Sequence, residues 1–482
     1  MATFGFLAAC AMTLSGLAGC STTTEGGEGV EEGEETTMKI SIPIVTTYAD
    51  NDANATAAEV AFVTADIFIY NETGTSREQH VSLSASDFEK NTTLWKWEMK
   101  NPITVLSGNK KIYVGLNLPA AAKTVILNEG VQGVYGILPV APDSLPTLRD
   151  AIVNPGSGFA MFSTPGTGNT DFVVIPGVAN PAGEGKNEFS VSVERWASKI
   201  ISVKAATLNT VASGATFLTA PGAVDANLSF SIGNVNTKLY PFQKKIGANI
   251  EDPNYTPPTP PFTVAQLGEY VNDFGRATGG TTSPSYPAGY SSVDTTSAFP
   301  PPAIDARTPK YAVENTSASP YYQGLLTYVS VRARFYPNEI ITAFTAGATD
   351  SLSRDNTISS VQNDLYVYTT PGGEYLYFTN ATVGAAWAAA YDGETFQGNY
   401  KDGYCYYLVY LDPKTAYSAA PYASVRNLLY CTMITKINSL GYPNPGEPDP
   451  ETPLGVTTKL TVDVVITPWT FVAMDDIHLG LL

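Results

Sequence analysis

Short runs in which apolar and polar residues alternate recur along this chain. Two of them are Met38–Ile44 (MKISIPI) and Lys459–Thr467 (KLTVDVVIT). A period of two residues is typical of a β-strand with one buried face, and Pro43 would restrict the first of these strands to a sheet edge or a bulge. The pattern predicts an all-β protein with two β-sandwiches in tandem. Helical periodicity is confined to three short segments, Ser144–Val153, Thr263–Phe274 and Val383–Tyr391.

Composition supports this fold class. The 482 residues include 41 Gly and 34 Pro, and only 15% are charged, which favours short strands joined by turns. The longest Pro-, Ser- and Gly-rich stretch is Glu251–Arg307, and we place a domain boundary near its start. The sequence therefore predicts one domain at residues 38–250 and a second at residues 251–482, which begins with this Pro-rich entry segment.

The start of the chain has the pattern of an export signal. An apolar run from Phe4 to Leu17 ends in Leu17-Ala18-Gly19-Cys20, and small residues before a cysteine are what a lipoprotein signal peptidase needs. We expect residues 1–19 to be removed and Cys20 to carry acyl chains such as palmitate, which hold the protein on a bacterial envelope membrane. Residues 2–16 contain no Lys or Arg, so a chance cysteine behind an ordinary signal peptide is the alternative. Residues 20–37 are acidic and Gly-rich and predict a flexible tether.

The sequence offers little for catalysis. Its only histidines are His80 and His478, and it contains no zinc, serine-hydrolase or phosphate-binding motif. A net charge of −18 with only 27 Lys and Arg residues disfavours nucleic acid as a partner. We expect no enzyme, no catalytic residue, no cofactor and no metal site. Two alternatives stay open: a carboxylate pair of the glycosidase type, and a glycan-binding platform made from Tyr and Trp residues, most of which we expect in cores.

Two cysteines lie beyond Cys20. Cys405 and Cys431 each fall in a strand-like run. An exported protein meets an oxidising compartment, so a disulfide between adjacent strands is one expectation. Two buried thiols that act as small hydrophobic side chains are the other.

Several segments resemble one known family. They are residues 108–117 (GNKKIYVGLN), 158–161 (GFAM), 193–199 (VERWASK), 313–315 (VEN), 327–333 (TYVSVRA), 400–403 (YKDG), 425–430 (VRNLLY) and 434–437 (ITKI). Together with the Cys20 motif, Gly441 and a closing segment at Trp469, they resemble the fimbrillins of Bacteroidota. These are the major subunits of type V pili, and the resemblance is to the short-fimbria branch in particular.

This resemblance implies a subunit of two transthyretin-like β-sandwich domains that reaches the cell surface as an outer-membrane lipoprotein precursor. It implies cleavage in the loop after the first strand, residues 38–45, and replacement of that strand by a terminal strand from a neighbouring subunit. The partners would be copies of this chain or related fimbrial subunits, and the fimbrium would support adhesion to a host or bacterial surface ligand. The residues concerned are Met38, Ile40, Ile42 and Ile44 in the removable strand; Thr46, Thr47, Tyr48, Ala49 and Asp50 in the processing loop; and Trp469, Phe471, Ile477, Leu479 and Leu481 in a donor arm at residues 469–482.

The connector that follows the first strand, Thr46–Glu59, departs from the family pattern. Cleavage in the family follows Arg, yet no Lys or Arg occurs between Ile40 and Ser76. Either another protease acts, or the chain is an uncleaved terminal or anchor subunit. The leading hypothesis is a structural pilus subunit that polymerises by strand exchange. Its alternative is a non-polymerising surface lipoprotein that binds host protein or glycan, in which the last strand belongs to its own sandwich.

Overall fold

Strands dominate the structure. The computed structural model describes residues 33–43, 56, 59–94, 96–128, 134, 138–139, 152–154, 158–166, 168–177, 187–210, 215–217, 228–246, 249–254, 260–262, 270–271, 290–296, 308–347, 351–356, 364–411, 422–445, 451–454 and 460–468. Within these residues the chain forms strands β1 to β34, two α-helices and short 3-10 turns. The predicted all-β class is confirmed, whereas the count of two transthyretin-like sandwiches stays a prediction.

The strands up to residue 195 are β1 (Glu35–Pro43), β2 (Thr64–Asn71), β3 (Arg77–Ser84), β4 (Phe88–Asn91), β5 (Lys96–Met99), β6 (Ile103–Leu106), β7 (Gly108–Leu116), β8 (Leu138–Pro139), β9 (Val153–Asn154), β10 (Gly158–Phe159), β11 (Met161–Ser163), β12 (Asp171–Val174), β13 (Glu188–Ser190) and β14 (Val193–Arg195). The later strands are β15 (Ala197–Thr210), β16 (Ala215–Phe217), β17 (Ser229–Gly233), β18 (Val235–Asn236), β19 (Lys238–Leu239), β20 (Lys244–Ile246), β21 (Asn249–Glu251), β22 (Tyr270–Val271), β23 (Ser291–Ser292), β24 (Asp294–Thr296), β25 (Lys310–Val313), β26 (Tyr328–Pro337), β27 (Ile340–Thr345), β28 (Ser351–Asp355), β29 (Leu365–Thr369), β30 (Tyr375–Phe378), β31 (Thr395–Tyr400), β32 (Tyr404–Tyr410), β33 (Leu428–Ile437) and β34 (Leu460–Pro468).

Two sheets share the first hydrophobic core. One has the order β13-β1-β5-β4, with β6 also paired to β1, and the other has the order β14-β11-β7-β2-β3, with β12 also paired to β7. The core joins Met38 and Ile40 of β1 to Ile67 of β2 and Val114 of β7. Because each strand buries apolar side chains against the other sheet, the two sheets are held together mainly by apolar burial.

Two further sheets share the second core. Their orders are β24-β15-β33-β34, with β25 also paired to β15, and β16-β26-β17-β23, with β32 also paired to β26. The core includes Ile200, Val331, Tyr407 and Ile434. Between β26 and β32 the chain adds a sheet of order β28-β27-β30-β29-β31, which has a small core of its own around Trp387.

Side-chain packing changes from the first core to the second near residue 197. Trp196 and Ala197 belong to the first core and Ile200 to the second. From Lys199 onward β15 runs parallel to β33, so residues before 251 contribute to both cores. The predicted domain boundary at residues 250 and 251 stays a prediction, although the change of sheet partners occurs earlier in the chain.

The two helices are short. Helix α1 (Ala120–Asn128) was not predicted, because its Ala-rich start lacks a polar cap residue. Helix α2 (Ala381–Ala388) lies within reach of the predicted segment Val383–Tyr391 but starts earlier, since the Asn380 side chain accepts a hydrogen bond from the Thr382 amide at 2.8 Å and caps it. Neither helix in the described part of the chain is long and apolar enough to cross a membrane.

The other two helix predictions fall mostly outside the described residues. Where the chain is described, Tyr270–Val271 form β22, paired with β18, and Val153–Asn154 form β9, paired with β10. The described residue just before β9, Ile152, is helical, so only at Tyr270–Val271 has sheet pairing overridden the predicted helix.

Candidate functional site

The first strand lies inside the first core. Met38, Ile40 and Ile42 of β1 each expose 1% of their surface or less. Successive side chains of a strand point to opposite faces, so these three residues enter the core together. The structure therefore places three of the four apolar residues assigned to the removable strand in one buried row; Ile44 lies outside the described residues.

Strand β1 is hydrogen-bonded along both edges. It runs parallel to β13 on one edge, and antiparallel to β6 and then β5 on the other. The expectation that Pro43 places this strand at an edge or bulge is wrong. Pro43 is the last residue of β1, so its missing N–H does not interrupt the ladder. Glu35–Thr37, assigned to the flexible tether, instead pair with β6 and start the strand.

A buried amide side chain fastens β1 to its surroundings. Asn187 is fully buried. Its Nδ2 donates to the carbonyl oxygens of Thr37 at 3.0 Å and Ile175 at 2.9 Å, and its Oδ1 accepts from the Ile175 amide at 2.9 Å. The Lys39 amide donates to the Asn187 carbonyl at 2.8 Å. An unpaired buried polar group costs about 1–3 kcal/mol. Asn187 therefore favours an extended strand beside it, because such a strand supplies the backbone carbonyl and amide that Thr37 and Lys39 supply here.

Charged side chains line a cavity over the opposite face of β1. The cavity has a volume of about 250 Å³, and its charged lining residues are Lys39, Lys96, Lys100, Glu89, Glu98 and Glu188. Lys39 lies opposite Glu188 in the parallel pair, and Lys96 Nζ lies 2.6 Å from Glu98 Oε1. The hydrogen bond from Lys96 and, to a smaller extent, the charge of Lys39 lower the pKa of Glu98. Without β1 the lining would keep three glutamates and only two lysines.

The downstream end of the connector is anchored by a buried ion pair. Lys199 Nζ lies 2.9 Å from Glu59 Oε2, and both side chains are fully buried. The Tyr311 hydroxyl donates to Glu59 Oε1 at 2.5 Å, and Arg195 Nε donates to the Glu59 carbonyl at 3.0 Å. The Thr56 amide donates to Glu59 Oε2 at 2.6 Å. Residue 59 is thereby fixed to β14, β15 and β25, which lie at the change from the first core to the second.

A second buried ion pair joins three of the segments that carry the family resemblance. Arg426 Nη2 lies 2.6 Å from Glu314 Oε2, and Arg426 Nη1 donates to the Pro241 carbonyl at 2.8 Å. The Trp196 indole donates to the same carbonyl at 2.8 Å. Burial raises the pKa of Glu194 to about 8, against the opposing effect of the Arg426 charge. Residues from 193–199, 313–315 and 425–430 thus form one internal polar cluster.

The last described strand lies at a sheet edge. Strand β34 pairs antiparallel with β33 from Leu460 opposite Ile437 to Pro468 opposite Leu428, close to the predicted bounds Lys459–Thr467. Among the described strands it has no second partner. Cys20, the processing loop residues 46–50 and the donor arm 469–482 lie outside the described residues.

The predicted disulfide is not formed. Cys405 and Cys431 are both buried thiols. Cys405 packs in the second core beside Tyr407, whereas Cys431 lies with Ile201 and Leu429 in a separate small cluster. The two side chains therefore belong to different packing environments, as in the alternative of two buried thiols.

One Ser, His and Asp grouping occurs in the described chain. Asp66 Oδ1 accepts from Ser82 Oγ at 2.6 Å and lies 3.0 Å from His80 Nε2, the same nitrogen that lies 3.4 Å from Ser82 Oγ. A hydrolytic triad uses the two different ring nitrogens for its two partners, so this geometry does not relay a proton from serine to carboxylate. Lys123 Nζ also lies 2.8 Å from Asp66 Oδ2. In the described residues, no three His, Cys, Asp or Glu side chains are grouped to hold a metal ion.

The C-terminal part of the chain matches a known family. Residues 398–475 match the family model described as major fimbrial subunit protein type IV, fimbrillin, C-terminal. This segment of the chain is therefore similar to the C-terminal part of the fimbrillins. The matched range contains β32, β33 and β34, so the shared sequence includes both central and edge strands of the second core. The assignment to the short-fimbria branch stays a prediction.

Several solved structures from Bacteroidota align with this chain at low sequence identity. A candidate cell adhesion protein from Parabacteroides distasonis is 13% identical, with a TM-score of 0.48, and the similarity covers 91% of this chain and 99% of that chain. The fimbrilin FimA from Porphyromonas gingivalis is 13% identical, with a TM-score of 0.46 and coverages of 91% and 98%. The tip fimbrial protein Mfa3 from Porphyromonas gingivalis is 10% identical, with a TM-score of 0.36 and coverages of 89% and 99%. No curated protein sequence matches this chain.

Sequence reasoning missed the polar residues that fasten the candidate site. Asn187, Glu59 and Lys199 were not singled out individually, although Lys199 lies in the quoted segment 193–199. The available signal was a charged residue within an apolar strand, as Lys199 stands before Ile200 and Ile201. A buried charge requires a partner, but the sequence does not say that the partner of Lys199 is 140 residues away.

Proposed function

We propose that this chain is a fimbrillin, a structural, non-enzymatic subunit of a cell-surface fimbrium, and that it polymerises when β1 is replaced by a strand from another copy. The observation that carries the proposal is the position of β1 in the first core. Its apolar row is buried and both its edges are paired, and along the chain it is followed by the connector to β2.

Loss of β1 would open an apolar groove that favours the binding of another strand. Burial of an apolar side chain of this size stabilises by about 1.5–3 kcal/mol, so Met38, Ile40 and Ile42 together contribute about 5–9 kcal/mol. The edges of β5, β6 and β13 would also lose their partner, and unpaired edges are templates for strand addition.

In this proposal, a cut in the connector releases β1 without loosening the rest of the chain. Cleavage within residues 46–50 would cut the chain between β1 and Glu59. Because Glu59 is held by Lys199, Tyr311 and Arg195, the downstream end would stay fixed while β1 became free to exchange.

The donor in this proposal is the arm at residues 469–482, with Trp469, Phe471, Ile477, Leu479 and Leu481 as its large apolar residues. It follows β34, the edge strand of the second core. A segment that continues from an edge strand can reach a neighbouring subunit without opening a paired sheet.

The proposal also includes export of the chain as a lipoprotein. Cleavage before Cys20 and acylation of its thiol would anchor the precursor in the outer membrane until assembly. Replacing Cys20 with Ala should abolish labelling by a metabolic acyl probe, and undiminished labelling would overturn this part of the proposal.

The second candidate function is an uncleaved anchor or terminal subunit, or a surface lipoprotein adhesin that does not polymerise. It is favoured by one observation, the absence of Lys and Arg between Ile40 and Ser76. In such a subunit β1 would keep its place, and the groove would never accept a neighbour.

The experiment that separates the two candidates introduces a site for a specific protease into residues 46–50 of the mature chain. We expect the cut protein to form oligomers by light scattering and filaments by electron microscopy, while the uncut protein stays monomeric. A matched cut protein that ends at Pro468 should stay monomeric as well. Persistent monomer in the complete cut protein would contradict strand exchange.

A further inference from the structure

The outward face of β1 gives the groove a charge preference. Lys39 stands opposite Glu188 in the parallel pair with β13, and it shares the cavity over that face with Glu89, Glu98, Lys96 and Lys100. Because the lining loses one lysine and no glutamate when β1 leaves, an incoming cation at this position is favoured and an incoming carboxylate is repelled.

The next outward position holds a small, largely buried side chain. Ser41 is 9% exposed, it stands opposite Ser190 on β13 and Glu98 on β5, and its carbonyl accepts from the Val191 amide at 2.9 Å. The strand that fills the groove, Met38–Ile42 (MKISI), thus has the order apolar, cationic, apolar, small and apolar.

One window of the arm sequence reproduces this order. Residues Ile477–Leu481 (IHLGL) place His478 where Lys39 stands and Gly480 where Ser41 stands. The alternating window Val462–Ile466 (VDVVI) has an aspartate at the cationic position, and Trp469–Ala473 (WTFVA) has a threonine there. His478 is the only residue in 460–482 that can carry a positive charge.

We propose that Ile477–Leu481 of a second copy fills the groove in the register of Met38–Ile42, and that Glu188 and Glu98 select this register through His478. The inference rests on the proposed strand exchange and adds to it the register and the basis of selectivity. A histidine in this position can donate a hydrogen bond to the carboxylate of Glu188 or Glu98, or can carry a positive charge beside both.

The test uses the mature chain cut in the connector and fluorescent synthetic peptides of residues 469–482. Binding is measured by fluorescence anisotropy as the peptide displaces β1. We expect the His478→Glu peptide to bind about tenfold more weakly than the His478→Lys peptide, because reversing a charge beside half-exposed carboxylates changes binding by about 1.4 kcal/mol. On a cut chain carrying Glu188→Lys, the two peptides should bind equally or in the reverse order. Because both peptides compete with the same β1, their ratio is independent of how tightly each acceptor holds its own strand.

Two control peptides keep the inference separate from the exchange itself. Asp475→Asn changes the peptide charge in the same direction as His478→Lys but lies outside the window, so it should bind like the unmodified peptide. Leu479→Asp places a charge in the core and should not bind. If Leu479→Asp fails to bind but the two His478 variants bind equally, selection by charge is wrong and exchange stands. If Leu479→Asp binds as well as the unmodified peptide, or a peptide of residues 460–468 displaces β1 better, the window is wrong and the donor of the proposed function lies elsewhere.

Discussion

Among the described strands, β1 is bonded along both edges, whereas β34 is bonded along one. The first lies between β13 and the pair β5 and β6, and the second follows β33 at the edge of its sheet. Removal of β1 therefore leaves a slot with two walls, while removal of β34 leaves a single open edge. A slot fixes the register of an incoming strand from both sides and through its apolar floor, and this makes β1 the better candidate for a specific exchange.

The largest expected effect comes from losing either strand as a whole. When the chain is cut in the connector and β1 is washed out, amide hydrogen exchange should rise in two separate places, residues 96–106 and 188–190, because both walls lose their partner. Ending the chain at residue 459 should raise exchange in residues 428–437 and leave the first core unchanged. An even rise in hydrogen exchange over both cores in either protein would contradict the separate pairing of β1 and β34.

The next effect concerns the anchor beside the connector. Glu59→Gln leaves the buried Lys199 without its counter-charge, and breaking one side of a buried ion pair lowers the free energy of unfolding by about 3–5 kcal/mol. The matched change Glu339→Gln breaks the exposed pair with Arg354 and should cost about 0–1 kcal/mol. Urea unfolding of the two variants measures both values. Equal small losses would mean that Glu59 does not fasten the chain.

A smaller effect is expected from one side chain of β1. Ile40→Ala removes buried volume from the first core and should lower the free energy of unfolding by about 2–5 kcal/mol. Leu106→Ala, on the neighbouring strand β6 but 46% exposed, should change it by about 0.5 kcal/mol or less. Thermal unfolding followed by circular dichroism compares them, and a similar melting temperature for both variants would contradict the buried position of β1.

A further effect is a pH dependence at the internal polar cluster. Burial raises the pKa of Glu194 from an ordinary value of 4.5 to about 8 in the folded chain. The folded state then holds a proton that the unfolded state has lost, so the contribution of Glu194 to stability is complete below pH 4.5 and is lost as the pH rises to about 8. Glu194→Gln should flatten the fall in stability between pH 5 and pH 8, measured by urea unfolding at both values. An unchanged slope in the variant would show that another group causes the dependence.

The sequence was sufficient for the fold class and for the row Met38, Ile40 and Ile42, because a period of two residues is a local property. It failed where distant parts of the chain decide the outcome. Pro43 predicted an edge strand, but the parallel strand β13 comes from residue 188 onward and covers β1 up to Ser41. Asn187 and Glu59 could not be identified as fastening residues, since their partners at Thr37 and Lys199 are 150 and 140 residues away. Cys405 and Cys431 both lie in strands, as expected, but packing places their side chains in different clusters.

The fate of β1 during assembly is the most direct test of strand exchange. The mature chain, cut at an introduced site in the connector, is allowed to assemble, and the assembled and unassembled fractions are separated and analysed by mass spectrometry for the peptide that contains residues 38–45. We predict that this peptide is absent from the assembled fraction and is recovered as free peptide in an amount equal to the number of assembled subunits. Assemblies that retain the peptide at one copy per subunit would contradict strand exchange at this groove.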